Sequence, residues 1–327
     1  MIRRTLGATG LPVTTLGLGL AALGRPAYIT LGREIDLGTH RSVEAMERRC
    51  HEVLDAAYAA GVRYVDAARS YGHAERFLAS WFDARGLSPD AVTVGSKWGY
   101  RYTGHWRMDP TAHEVKEHSL DALRRQLRES LDTLGERLDL YQIHSATLES
   151  GVLEDRAVLA ELVALAGRGI AVGLTVSGPR QDETIARALD AGVDGVNPFR
   201  SVQATWNVLE PSAGPALAEA HGQGWGVIVK EALANGRLAG RDPDPRLEPL
   251  RRAAAAAEAP MDAVAIAAVV ANPWVDVVLI GPVTVQQVRS NLRALDVTLG
   301  PGALRALGAM ATPPDRYWSQ RASLPWA

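Results

Sequence analysis

Eight short runs rich in β-branched and aliphatic residues recur along this chain, each followed by a segment with helical spacing. They fall at 13–18, 63–67, 92–97, 138–144, 170–176, 195–200, 225–230 and 275–281. Strands that alternate with helices build βαβ units, in which the returning helix leaves successive strands parallel. Eight units specify a closed (β/α)8 TIM barrel, with an open doubly wound sheet as the alternative. At 327 residues the length suits one barrel, so residues 1–327 are expected to form a single domain.

Local signals refine this outline. Residues 3–17 contain two extended stretches around Ala8-Thr9-Gly10, the pattern of an N-terminal hairpin that plugs the barrel bottom. Over 114–134, Val115, His118, Leu120, Leu123, Leu127 and Leu131 form the apolar stripe of a helix covering a barrel face. An Ala-rich helix at 251–260 stands outside the alternation, as an added element before the last repeat. Two stretches after strands, 23–42 and 98–113, exceed ordinary connections, and loops at strand C-terminal ends are where barrels carry function. The second holds Trp98, Tyr100, Tyr102, His105 and Trp106, in a chain with only 6% aromatics. Trp98, Tyr102 and Trp106 are therefore expected to wall a substrate pocket, unless the segment is a self-packed surface loop.

Charge and hydropathy exclude several classes. The 35 basic and 37 acidic side chains nearly cancel, with no basic stripe to follow a phosphate backbone, so nucleic acid is not an expected partner. The longest apolar run, 263–271, is too short to span a bilayer and reads as a buried helix. Residues 1–10 lack the apolar core of a secretory signal, so a cytoplasmic protein is expected. Cys50 shares a helical face with Met46, Val53, Leu54 and Ala57 and is expected to be a small buried hydrophobe. No metal is expected, and the oligomeric state stays open.

The chemistry concentrates at strand ends. Asp66 closes the second run, Lys97 the third and His144 the fourth, while Tyr71 follows Asp66 by five positions. Polar groups ending three successive barrel strands share the rim where barrel active sites form. Each alone has a structural explanation: Asp66 a helix cap, His144 a hydrogen-bonded core residue.

The stretch Tyr64-Val-Asp66-Ala-Ala-Arg-Ser-Tyr71-Gly-His-Ala-Glu75 resembles the signature of the aldo-keto reductases. Val94-Gly-Ser-Lys97 resembles the lysine strand of that family, and the segment 131–144 resembles the helix, turn and strand that deliver its histidine. Segments 230–238 and 281–291 look like its cofactor-binding stretches. The resemblance implies NAD(P)(H)-dependent interconversion of a carbonyl (aldehyde, ketone or sugar) and an alcohol by hydride transfer. Tyr71 would then be the general acid/base, and Asp66, Lys97 and His144 the other catalytic residues. A free phenol has a pKa of about 10, so a neighbouring Lys97 ammonium is expected to lower it, with Asp66 holding that ammonium. Losing the Tyr71 hydroxyl or the Lys97 charge should remove most turnover, and losing the Asp66 charge should do less. Two other readings remain: a barrel lyase in which Lys97 forms a Schiff base, and a non-catalytic subunit that retains the cofactor.

The resemblance also implies a cofactor site at Thr175, Gln203, Lys230, Leu233, Gly281, Thr284, Gln287 and Asn291. Val176 stands where the family has an Asn, and Lys230 where it has an aromatic stacked on the nicotinamide. Gly281 and Gln287 occupy positions where the family grips a 2′-phosphate with cations, leaving Arg289 the only cation of that segment. Thr284 and Gln287 also fit a helix-capping pair. NADP(H) is the favoured cofactor on the family pattern, with NAD(H) possible because of the missing cations.

Overall fold

The computed structural model describes residues 1 and 3–326. Its first two strands, β1 (Arg3–Thr5) and β2 (Pro12–Thr14), pair antiparallel as the expected hairpin. The barrel strands are β3 (Leu16–Gly19), β4 (Tyr64–Asp66), β5 (Thr93–Trp98), β8 (Leu140–Ala146), β9 (Ala171–Val176), β10 (Ser201–Thr205), β11 (Gly226–Lys230) and β12 (Val277–Ile280). All eight neighbouring pairs are parallel, and β12 pairs with β3, so the barrel closes. The other two strands, β6 (Tyr100–Tyr102) and β7 (Glu114–Lys116), form an antiparallel hairpin above the rim.

The hairpin does plug the barrel. Leu6 and Val13 are fully buried, clustered with Tyr64, Leu140, Ile228 and Val277 in the lower interior. Arg4 fastens it from outside, donating to the Val275 carbonyl at 3.0 Å. The first expected strand is thus two, because residues 12–14 pair within the hairpin and only 16–19 enter the barrel.

Three further expectations need revision. The sixth strand lies at Ser201–Thr205, not at 195–200. Asp194 and Gly195 have φ of +51° and +78°, and Val193 bridges Val196 antiparallel, so that stretch is a tight turn leading into the strand. Residues 114–116 are strand, and the amphipathic helix begins at Leu120, where the Ser119 side chain accepts the Ala122 amide. The third revision concerns loop 98–113, and belongs with the site.

The Ala-rich helix Glu248–Ala256 precedes the barrel helix Met261–Val270, most of which is buried. These two bend by 92° where they meet, and no single helix among the described residues is long and apolar enough to cross a membrane. Cys50 is a buried free thiol among Met46, Val53 and Leu54, its pKa pushed up by burial.

Candidate active site

Asp66 and Lys97 both point into the barrel interior at adjacent strand ends, 2% and 1% exposed. The Lys97 ammonium donates to Asp66 Oδ1, to the Ala67 carbonyl at 2.9 Å and to Tyr71 Oη at 3.3 Å. The second Asp66 oxygen accepts from Gln203 at 2.9 Å, Tyr64 at 3.2 Å and Gln142 at 3.3 Å. A buried carboxylate needs such a set of donors to remain ionised without water.

Tyr71 reaches the site from the turn after β4. Gly72 has φ of +63°, and a Cβ there would lie 2.4 Å from the Gly24 carbonyl oxygen, so only glycine lets the first and second rim loops touch. Glu75, the last residue of the motif, anchors the turn from beneath rather than entering the site. It is buried, accepts from Ser96 at 2.5 Å and Ser130 at 2.7 Å, and pairs with Arg69.

His144 is aimed by a bulge in β8. The β8–β9 register shifts between Ile143 and Ala146, and Ser145 has φ of +53°. The Ser145 amide donates to Thr175 Oγ1 at 2.7 Å. His144 Nδ1 lies 3.3 Å from Ser70 Oγ, and its ring stands edge-on to Tyr71 with centroids 5.4 Å apart. In the tautomer in which Ser70 donates to Nδ1, Nε2 carries the hydrogen and can donate to a substrate oxygen.

Burial sets the protonation states, with neighbouring charges second. It holds the His144 pKa well below the ordinary imidazole value, assisted by Lys97 and Lys230, so the ring is neutral. Burial lowers Lys97, while the Asp66 carboxylate opposes that shift. Tyr71 is raised well above 10 by burial and by Asp66, and Arg25 works in the opposite direction. The expected lowering of the phenol by Lys97 is therefore not the net result; Tyr71 is held protonated, the form that donates.

A cavity of about 830 Å³ runs from Tyr71 and His144, past Gln203 and Lys230, to Gly281 and Asn291. Leu233, Thr284 and Gln287 also face it. Thr175 does not line it: that side chain is fully buried, with its oxygen on the Ser145 amide, so its visible work is to hold the bulge under His144. Thr284 caps the helix Val285–Leu292 by accepting the Gln287 amide, which brings a helix N-terminus to the cavity wall. Gln287 Oε1 accepts from the Val283 amide at 2.8 Å, and its Nε2 donates to Asp36 at 2.7 Å. Asn291 donates to Asp262 at 2.7 Å. A Cβ at Gly281 would meet no protein atom within 4 Å, so the wall there faces open space.

These features fit a nicotinamide dinucleotide: a long cavity with a protonated phenol at one end, an amide side chain in Gln203 that could pair with a carboxamide, and a helix N-terminus suited to an anion. A cation that sequence reasoning missed, Arg241, also lines the far end. Its guanidinium clasps both Asp36 oxygens at 2.6 and 2.9 Å. Among the described residues no cluster of side chains could hold a metal ion.

The aromatic loop is not the pocket wall. Trp98 follows the inward-facing Lys97 on β5, so strand alternation turns it outward, where it is fully buried edge-on to His118. Trp106 stacks on His73 with centroids 4.9 Å apart and donates to the Arg41 carbonyl at 2.8 Å. The Tyr102 hydroxyl accepts the Trp106 amide at 3.0 Å. None of the three lines the cavity; Trp98 and Trp106 instead pack the loop against His118, His73 and the Arg41 backbone. Beside Tyr71 the cavity is walled by Arg25, Tyr28, Glu114 and Trp326. Arg25 pairs with Glu114 at 2.8 Å and lies 5.0–5.4 Å from the ring centroids of Trp326, Tyr28 and Tyr71. Trp326 is held by stacking on His113 and by a bridge to Ile29. No local pattern announces Arg25 or Trp326; they meet only because the chain closes on itself.

Residues 16–309 match the family model of the aldo/keto reductases, and the chain belongs to that family of oxidoreductases. The structure of aldo-keto reductase AKR11C1 from Bacillus halodurans, in holo form, shares the fold with a TM-score of 0.73 at 21% identity, covering 96% of this chain and 97% of that one. Among curated relatives, aldo-keto reductase ausK of Emericella nidulans is 27% identical over 237 residues, covering 71% of this chain and 56% of its own. Pyridoxal 4-dehydrogenase of Microbacterium luteolum is 27% identical over 163 residues, with 43% and 42% covered. The match thus spans about half the length of these two relatives. The uncharacterized oxidoreductase YrpG of Bacillus subtilis is 24% identical over 333 residues, with 92% and 93% covered.

Proposed function

We propose that this barrel interconverts a carbonyl and an alcohol with NAD(P)(H), Tyr71 serving as general acid in reduction and general base in oxidation. The observation that carries this reading is the donor set of Lys97. Its three N–H groups go to Asp66, Ala67 and Tyr71. Tyr71 Oη therefore accepts one hydrogen bond and keeps its own hydrogen for a substrate oxygen in the cavity. The same arrangement counts against a Schiff-base lyase, because an ammonium with three acceptors has no lone pair to attack a carbonyl.

A bound nicotinamide supplies the hydride; the chain supplies position and charge. A carbonyl oxygen placed between Tyr71 Oη and His144 Nε2 meets two donors as it gains negative charge. The Lys97 ammonium behind Tyr71 stabilises the phenolate left after proton transfer, and Asp66 keeps that ammonium in place. Gln203 offers its amide oxygen to a carboxamide, its nitrogen being engaged by Asp66. Arg25, paired with Glu114, and the rings of Tyr28 and Trp326 give the substrate end a polar, aromatic character that suits a polar carbonyl compound. For the cofactor, Arg241 is the guanidinium that would meet a 2′-phosphate. Asp36 already shares it, so NADP(H) is favoured only weakly and NAD(H) is used as well.

Tyr71→Phe tests the assignment. Turnover should fall about 10²- to 10⁴-fold, the usual range for general acid catalysis, while cofactor affinity measured by fluorescence titration stays within a few-fold of wild type. A variant that keeps more than about a tenth of wild-type turnover, with chemistry rate-limiting, removes Tyr71 from the role. Aldehydes, ketones and sugars followed at the nicotinamide absorbance, in both directions, would define the substrate.

A further inference from the structure

The charges around the cavity are mostly compensated: Lys97 by Asp66, Arg25 by Glu114, Arg321 by Glu231 and Arg241 by Asp36. Lys230 differs. It ends β11 opposite Thr205 and lines the cavity wall beyond Gln203. Its ammonium donates to Thr205 Oγ1 at 2.9 Å and lies 5.9 Å from the Trp318 ring centroid. Among the described residues, no carboxylate forms an ion pair with it. The adjacent Glu231, held in a left-handed conformation with φ of +56°, directs its carboxylate to Arg321 at 2.5–3.0 Å.

We propose that Lys230 places a positive charge with no carboxylate in direct contact beside the nicotinamide and makes the site prefer the neutral reduced ring over the positively charged oxidised ring. The inference rests on the nicotinamide reading above. A hydride donor must lie within bonding reach of the carbon whose oxygen meets Tyr71 and His144. Lys230 borders that volume on the Gln203 side of the same cavity. The two cofactor forms share every other group, so an ammonium on this wall discriminates between them through ring charge alone. The consequence for turnover is direct: reduced cofactor binds tightly and oxidised cofactor leaves readily after carbonyl reduction.

The charge is also titratable. Burial lowers the Lys230 pKa to about 8, with Arg321 and Lys97 acting in the same direction and Glu231 and Asp66 against it. Below that pH the ammonium is present and the preference is full. As pH rises through it, the charge and the preference are lost together.

The test is fluorescence titration of the full chain with NAD⁺ and NADH, repeated with the phosphorylated pair, at pH 6.5 and 9. At pH 6.5, Lys230→Met should reduce the ratio of oxidised to reduced dissociation constants about tenfold or more, as expected for unit charges a few ångströms apart in a partly buried site. Wild type should show a smaller ratio at pH 9 than at pH 6.5, whereas Lys230→Arg, which stays charged, should keep the larger ratio at both. A ratio unchanged in Lys230→Met, or both affinities shifted equally, overturns the proposal and makes Lys230 a contact to a group common to both forms. A wild-type ratio independent of pH with Lys230→Arg indistinguishable from it also counts against the titration. Failure of wild type to bind either form would instead overturn the nicotinamide reading itself.

Discussion

Asp66→Asn preserves the shape of the side chain and removes its charge, and the surroundings of Asp66 turn that small change into a large one. Lys97 is 1% exposed, so the variant leaves an ammonium in a dry site without its counter-ion. Removing one member of a buried pair costs about 3–5 kcal/mol, because the other charge stays uncompensated. Lys97 could escape by releasing its proton. A free lysine has a pKa of about 10.4, so neutrality at pH 7 costs roughly 1.4 kcal/mol for each of about 3.4 pH units, close to 5 kcal/mol. Both routes give the same scale. The Asn amide also faces Tyr64, Gln142 and Gln203, three donors that now share Asp66 Oδ2, and an NH₂ group there cannot accept.

Urea unfolding at pH 7 and pH 9 reads this directly. Burial already lowers Lys97, and without Asp66 to oppose it the folded-state pKa falls further. Between the folded and unfolded values the unfolded chain binds more protons, so stability of the variant rises with pH by up to about 1.4 kcal/mol per unit. The expected result is a deficit of about 3–5 kcal/mol at pH 7 that shrinks by about 2–3 kcal/mol at pH 9. A folded variant with a deficit below about 1 kcal/mol, or a deficit equal at both pH values, would refute the description of Lys97 as a buried ammonium held by Asp66.

Trp106→Ala should cost about 2 kcal/mol in unfolding free energy, less than the 3–5 kcal/mol of a fully buried Trp, and leave substrate preference unchanged; an altered preference at unchanged stability would return the loop to the pocket. The ratio of catalytic efficiencies with NADP(H) and NAD(H) should stay below about a thousandfold, or roughly 4 kcal/mol, and Arg241→Ala should move it toward NAD(H). A larger ratio that survives Arg241→Ala would show that another cation holds the phosphate.

The barrel and its reactive rim were legible in the sequence because both rest on local patterns. Strand and helix periods alternate within a few dozen residues, and Asp66, Lys97 and His144 each lie within two residues of a strand's C-terminal end, which places them near one rim in any such barrel. The hairpin plug is local as well. Strand alternation even carried information left unused: with Lys97 facing inward, Trp98 had to face out.

Other features depended on residues that no local pattern connects. Thr175 supports the His144 bulge through an amide 30 residues away, a register irregularity that hydrophobic periodicity cannot reveal. Gln287 meets Asp36 across 251 positions, and Ile29 meets Trp326 at the opposite end of the chain, so the cofactor end and the substrate wall exist only once the barrel has closed. Charge compensation is decided in the same way. The sequence supplies the acidic and basic side chains around the cavity, but only the tertiary packing pairs Arg25, Arg241, Arg321 and Lys97 with carboxylates and leaves Lys230 facing the cavity, because an ion pair depends on separation in space rather than along the chain.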